Sequence, residues 1–183
     1  MTRVDVIANE RLLDDRHRWH EIQEFWLDRP AVVVFLRQFG SAFALKQTLE
    51  LTARRDDIVA EGADVVFIGL GTPIQAFTFR QRARTRFTVL TTTDQTLYRT
   101  MGLRRDKVAA RRPANLAPLL RLVRDGIYPY QRTGDNAQLG GVFVVDTGGR
   151  EVLWDFRTHR ASDVAPTDEI VTALRAGQGL HPS

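Results

Sequence analysis

The stretch AVVVFLRQFGSAFALKQ, residues 31–47, decides how this chain is read. Ala31 to Leu36 is an unbroken apolar, β-branched run, the pattern of a strand buried on both faces. Phe39-Gly40 ends it, and from Ser41 the spacing predicts a helix to Ala60, with Leu45, Leu49 and Ala53 on one stripe. A strand that turns directly into a helix sets its junction residues against unpaired backbone N–H groups and the positive end of the helix dipole. Here those places hold Ser41 and, one turn further on, Ala44.

Working outward, Ala63 to Leu70 reads as a second buried strand, so that residues 31–70 form a right-handed βαβ unit with parallel strands. Upstream, residues 10–20 read as a short hairpin turning at Asp14-Asp15, followed by a brief helical piece ending at Trp26-Leu27 before Pro30. Downstream, Thr72 and Pro73 stand as N-cap and first residue of a helix with apolar positions Ile74, Phe77 and Phe79. A short strand is expected over 87–90 and a short helix over 94–101, stopped by Gly102. A further helix is expected over 115–124, with Leu116, Leu119, Leu120 and Val123 turned inward and Gly126 as its stop. Residues 141–145 and 151–156 around Asp146-Thr147-Gly148-Gly149 read as a hairpin, and Thr167 as the cap of a last helix through Ile170, Val171 and Leu174. No repeat or linker interrupts this order, and a single domain over residues 1–183 is expected.

Composition narrows the chemistry. A hydrophobic fraction of 43% over 183 residues is ample for one core. No apolar run reaches membrane-spanning length, and MTRVDVIANERLLDD lacks the basic-then-apolar order of a secretory signal, so the cytoplasm is the expected location. There is no cysteine, which excludes disulfides, thiolate metal sites and thiol chemistry. Net charge is +4, and of 26 basic residues only Lys46 and Lys107 are lysines. The arginines cluster at Arg80, Arg82, Arg84 and Arg86, and again at Arg104, Arg105, Arg111 and Arg112. Without interleaved aromatics these clusters read as solvated surface rather than a nucleic-acid face; a small anionic ligand suits them better.

The order βαβ, helix, strand, hairpin, helix resembles a thioredoxin-like α/β fold with a peroxiredoxin-style insertion, a mixed central sheet flanked by helices. The motifs are more specific. The peroxiredoxin-like branch of the alkyl hydroperoxide reductase and thiol-specific antioxidant (AhpC/TSA) family carries F-L-R-x-F-G-C-x-x-C after its strand. This chain matches at Phe35, Leu36, Arg37, Phe39 and Gly40 and departs at both cysteines. Trp26 before Arg29-Pro30, Asp94 through Tyr98 to Gly102-Leu103, and Gly134-Asp135 with Gln138-Leu139-Gly140-Gly141-Val142-Phe143-Val144-Val145-Asp146 resemble three further family segments. Together the matches run from about residue 12 to 176.

The resemblance implies that Ser41 stands at the nucleophilic cysteine position, Ala44 at the resolving one, and that Arg37 would add positive potential. Phe39, Gly40, Asp135, Gln138, Gly140 and Gly141 are the implied binding residues. In a cysteine-bearing parent the reaction would be peroxide or disulfide reduction, through thiolate attack and resolution of the product. With Ser41 the hydroxyl stays protonated and has no sulfenic state, and with Ala44 nothing resolves, so the chain as written is expected to be redox-inactive. Removal of the pair from a cysteine-bearing parent, a non-catalytic binding module, and recruitment to a sulfur-free reaction all account for the loss. In the last two readings a thiol-free member binds or transforms a small molecule in the inherited pocket.

A serine nucleophile is disfavoured: Phe43 stands where a Gly-x-Ser-x-Gly elbow needs its second glycine, and only His159 could approach as base. The simpler reading of Ser41 is a helix N-cap, beside which an anion could still bind. His17, His20 and Glu24 have ligand-like spacing, but the segment holds a turn, and neither metal nor cofactor is expected. Tyr98, Tyr128, Tyr130 and Trp154 are candidates for a pocket wall or for core packing. By analogy the family also implies an edge-to-edge homodimer.

Overall fold

The computed structural model describes residues 4–108, 112–131 and 135–178. Arg111 of the second arginine cluster and Gly134 of the Gly-Asp segment lie outside the described residues. The chain forms β1 (Arg11–Asp14), β2 (Trp19–Glu21), β3 (Ala31–Phe35), α1 (Ala42–Ala53), α2 (Arg55–Ala60) and β4 (Asp64–Leu70). It continues through α3 (Pro73–Ala83), β5 (Thr88–Thr92), α4 (Thr96–Thr100), α5 (Leu116–Arg124), β6 (Gly141–Val145), β7 (Val152–Arg157) and α6 (Thr167–Gln178).

All seven strands join one mixed sheet in the order β2-β1-β5-β4-β3-β6-β7. The expected βαβ unit is present: β3 runs parallel to β4 with Val33 opposite Val66, and antiparallel to β6 with Val33 opposite Phe143. Side chains alternate across β3 and β4 and fill two cores. Val32, Val34, Val65 and Phe67 face Phe79, Ile170 and Leu174 on the side of α1, α3 and α6. Val33, Phe35, Val66 and Ile68 face Ile22, Trp26, Leu97 and Tyr98 on the other. With both faces covered, β3 reads as a continuous apolar run.

Four expectations are corrected. The helix after Ser41 is two helices, because Arg54 leaves helical geometry at φ −99°, ψ 18°; Ala53 is exposed, and the buried stripe of α1 runs through Ala44, Leu45, Thr48 and Leu51. Helix α3 packs through Ala76, Phe79 and Ala83, while Ile74 and Phe77 are exposed. The alanines let α3 lie close to the sheet, so small size rather than bulk marks its inner face. Helix α5 buries Leu122 and leaves Leu116 and Leu120 outside. Thr167 is the first residue of α6 rather than its cap, and its buried hydroxyl has no hydrogen-bond partner.

Candidate functional site

The site is built where β3 hands over to α1. Backbone N–H of Ser41 bonds the Gln38 carbonyl (3.2 Å), closing a turn over Gln38–Ser41, and Leu45 N–H bonds the Ser41 carbonyl (3.0 Å), starting the helix. Ser41 is in extended geometry and its hydroxyl accepts the Ala44 N–H at 3.3 Å, which makes it the N-cap that its residue type favours. Ser41 is 8% exposed. The covering comes from α5 and the segment after it: Leu122, Leu119 and Ile127 pack on Ala42 and Phe43. Tyr130 N–H bonds the Gly40 carbonyl at 2.9 Å. Gly40 has to be glycine, since a methyl there would lie 1.9 Å from the Gln131 carbonyl oxygen.

Arg37 is 8% exposed and makes its bonds to main-chain oxygens, Nε to Gln138 (3.3 Å) and Nη2 to Asn136 (3.0 Å). Burial pushes its guanidinium below the ordinary arginine range. It lines a cavity of about 30 Å³ together with Ala44, Gly140, Gly141, Thr158 and Asp163. Room for a water or a small ion is all this volume offers. Of the two positions at the start of α1, it is therefore Ala44 rather than Ser41 that shares a cavity with Arg37. Gly140 is pinned from two sides. Thr158 Oγ1 accepts its N–H and donates to its carbonyl, each at 3.0 Å, and a methyl would lie 2.2 Å from the Phe35 carbonyl oxygen. Gly141 opens β6, opposite Phe35.

Asp135 and Gln138 act as braces beneath Arg37. Burial alone would raise the Asp135 carboxyl, but the Ala137 N–H, the Arg105 guanidinium and the Gln95 amide outweigh it and hold it below the usual carboxylate range. Gln138 is buried and donates to the carbonyls of Arg104 (3.1 Å) and Leu139 (3.0 Å). Thus Arg37, Asp135, Gln138, Gly140 and Gly141 form one connected group, whereas Ser41 and Gly40 are sealed beneath the segment ending at Gln131.

Phe39 points the other way. Its ring meets Phe79 at a centroid distance of 5.3 Å and lines a second cavity of about 220 Å³, bounded by Ile74, Thr78 and Arg82 of α3 and by Tyr130 and Gln131. Sequence reading missed this cavity, although Ile74, Thr78 and Arg82 stand at i, i+4 and i+8 and so share one helix face.

The remaining candidates are structural. Tyr98 is fully buried, its hydroxyl 2.7 Å from the Leu36 carbonyl and 3.0 Å from that of Ile68, and burial pushes its pKa far up. Trp154 stacks on Phe156. His159 meets Arg104 at 3.1 Å. His20 sits between Glu24 (3.0 Å) and Asp14 (3.3 Å), while His17 stands in the β1–β2 turn with φ 62°. No group of three potential metal ligands forms among the described residues, and no helix there is long and apolar enough to cross a membrane.

A mixed sheet with β3 in its interior, parallel to β4 and antiparallel to β6, and a capped helix following it is the thioredoxin-like fold of peroxiredoxins. Solved structures agree: peroxidoxin BcpB of Mycobacterium tuberculosis superposes with a TM-score of 0.70 at 17% identity, covering 96% of this chain and 97% of that one. Peroxiredoxin Q of Xanthomonas campestris gives 0.68 at 14% identity, covering 94% and 93%. The family model described as AhpC/TSA antioxidant enzyme matches residues 50–160, and the chain belongs to that family. Among curated relatives, prostamide/prostaglandin F synthase of Salmo salar is 28% identical over 160 residues, 84% of this chain and 78% of that protein. The chloroplastic thioredoxin-like protein AAED1 of Arabidopsis thaliana is 26% identical over 180 residues, 94% and 73%.

Proposed function

We propose that this chain keeps the fold of its family without the family's thiol reaction. The observation that carries this reading is the state of position 41: a serine hydroxyl already committed to the Ala44 N–H, in a residue 8% exposed, in a chain with no cysteine. A hydroxyl there supplies no thiolate to attack an O–O or S–S bond, and Ala44 supplies no second sulfur. The test is hydrogen peroxide consumption by the purified protein with dithiothreitol or thioredoxin as reductant. Consumption no faster than by the reductant alone is expected; catalytic turnover by the unaltered chain would overturn the reading.

A second reading is favoured by the two cavities flanking the junction: the protein binds, or transforms, a small and preferably anionic molecule in the inherited pocket. Arg37, Gly140 and Gly141 would form its inner side, braced by Asp135 and Gln138, with Phe39 and Gly40 on the outer side. That curated relatives bear the name of a small-molecule synthase supports this direction. Arg37 is nearly buried, its hydrogen-bond partners among the described residues are carbonyl oxygens, and an anion near it would offset part of its desolvation.

A further inference from the structure

The cavity between α3 and the Tyr130–Gln131 segment has an unusual distribution of polar groups. Its floor is apolar, with Phe39 and Phe79 each nearly fully buried, and Ile74 at its rim is 70% exposed. Its smaller polar groups are already spent. Gln75 Oε1 accepts the Thr72 N–H at 2.9 Å, and the Thr78 hydroxyl donates to the Ile74 carbonyl at 3.1 Å. No acidic side chain lines it. Beyond the Gln131 amide, the group left is Arg82, which alone carries charge. Its Nη2 donates to the Tyr128 carbonyl at 2.7 Å, and its guanidinium carbon lies 4.9 Å from the centre of the Tyr130 ring. Its Nη1 is buried and has no hydrogen-bond partner among the described residues. Among the described residues no carboxylate pairs with it, whereas Arg80, two positions earlier, is paired with Asp15 at 2.9 Å.

A cation without a counter-ion beside an aromatic floor describes its complement: a flat apolar body carrying one negative charge. We propose that this cavity binds a small aromatic monocarboxylate, its ring on Phe39 and Phe79 and its carboxylate at Arg82. About 220 Å³ suits a single substituted ring and not a long-chain lipid. The carboxylate supplies the acceptor that Nη1 lacks, and Tyr130, half exposed, is the side chain that makes room. Because Tyr130 N–H also holds the Gly40 carbonyl, occupancy here reaches the start of α1 through one hydrogen bond. The proposal deepens the small-molecule reading above, and its test uses no peroxide, so peroxide turnover by the chain would remove the first reading and leave this one standing.

The experiment is a titration of the ¹⁵N-labelled protein with phenylacetate, phenylacetamide and acetate, followed by amide chemical shifts. Saturable shifts confined to residues 39–41, 74–82 and 128–131 are expected for phenylacetate, with Kd below ~1 mM, and at least about tenfold weaker binding for the other two. Arg82→Gln should bring phenylacetate to the level of the amide. Thr78→Phe, which fills the cavity while keeping Arg82, should abolish binding of both aromatic probes. The proposal is overturned by an absence of saturable shifts up to about 10 mM, by equal affinity for phenylacetamide or acetate, or by a folded Arg82→Gln that binds like the parent. If Arg82→Gln does not fold, Thr78→Phe decides alone, and retained binding there overturns it.

Discussion

At the scale of single residues the start of α1 is held by contacts that tolerate no added volume. Gly40→Ala puts a methyl where the Gln131 carbonyl stands, so the covering segment has to shift; a loss of about 1–3 kcal/mol in urea-induced unfolding is expected. Ser41→Ala removes only the cap, and about 1 kcal/mol should go with it, measured in the same way. Asp14 provides a pH-dependent contact. Burial alone would raise its carboxyl, but the N–H groups of Arg18 and Arg16, the Arg18 guanidinium and His20 outweigh it and hold it at about 2, below the ordinary 3.8. A carboxyl with a lowered folded-state pKa gives its stabilisation in full above the unfolded value and loses it as pH falls through the folded one. Chemical-denaturation stability should therefore drop between about pH 4 and pH 2, and Asp14→Asn should flatten that drop.

Among the elements, Tyr98 of α4 holds the ends of β3 and β4 through its hydroxyl. Tyr98→Phe takes the hydroxyl from the buried Leu36 carbonyl, while the Ile68 carbonyl keeps the Leu36 N–H at 2.8 Å, and about 1–3 kcal/mol should be lost with little change in the circular dichroism spectrum. The strand–turn–helix of residues 31–53 was legible in sequence because three signals coincide there: a two-sided apolar run, a glycine and a capping serine. The facing of α3 and α5 was not. Hydrophobicity points to Ile74 and Phe77, yet close packing selects Ala76 and Ala83. The break at Arg54 carries no glycine or proline, so no local residue announces it. The cavity beside Phe39 draws on residues from 39 to 131, and only the i, i+4, i+8 face of α3 hints at it.

Over the whole molecule, stability rests on one sheet buried on both faces. Phe67, fully buried between β4 and the α-helical side, should cost about 3–5 kcal/mol as Phe67→Ala, read from the shift of the denaturation midpoint. Family membership and fold follow from the motif order over most of the chain, whereas the proposed ligand cavity depends on a few side chains that the fold gathers from Phe39 to Gln131.

The capped end of α1 has a consequence for how the protein ages. A cysteine at that junction would carry a history, since each encounter with oxidant moves it along a ladder whose upper rungs are irreversible. Ser41 has no such ladder. Its bond to Ala44 is the same before and after an oxidative burst, and so is the fit of the covering segment over Gly40. Where cysteine-bearing relatives would need repair, this junction needs none, and whatever the neighbouring cavities hold is met by an unchanged wall.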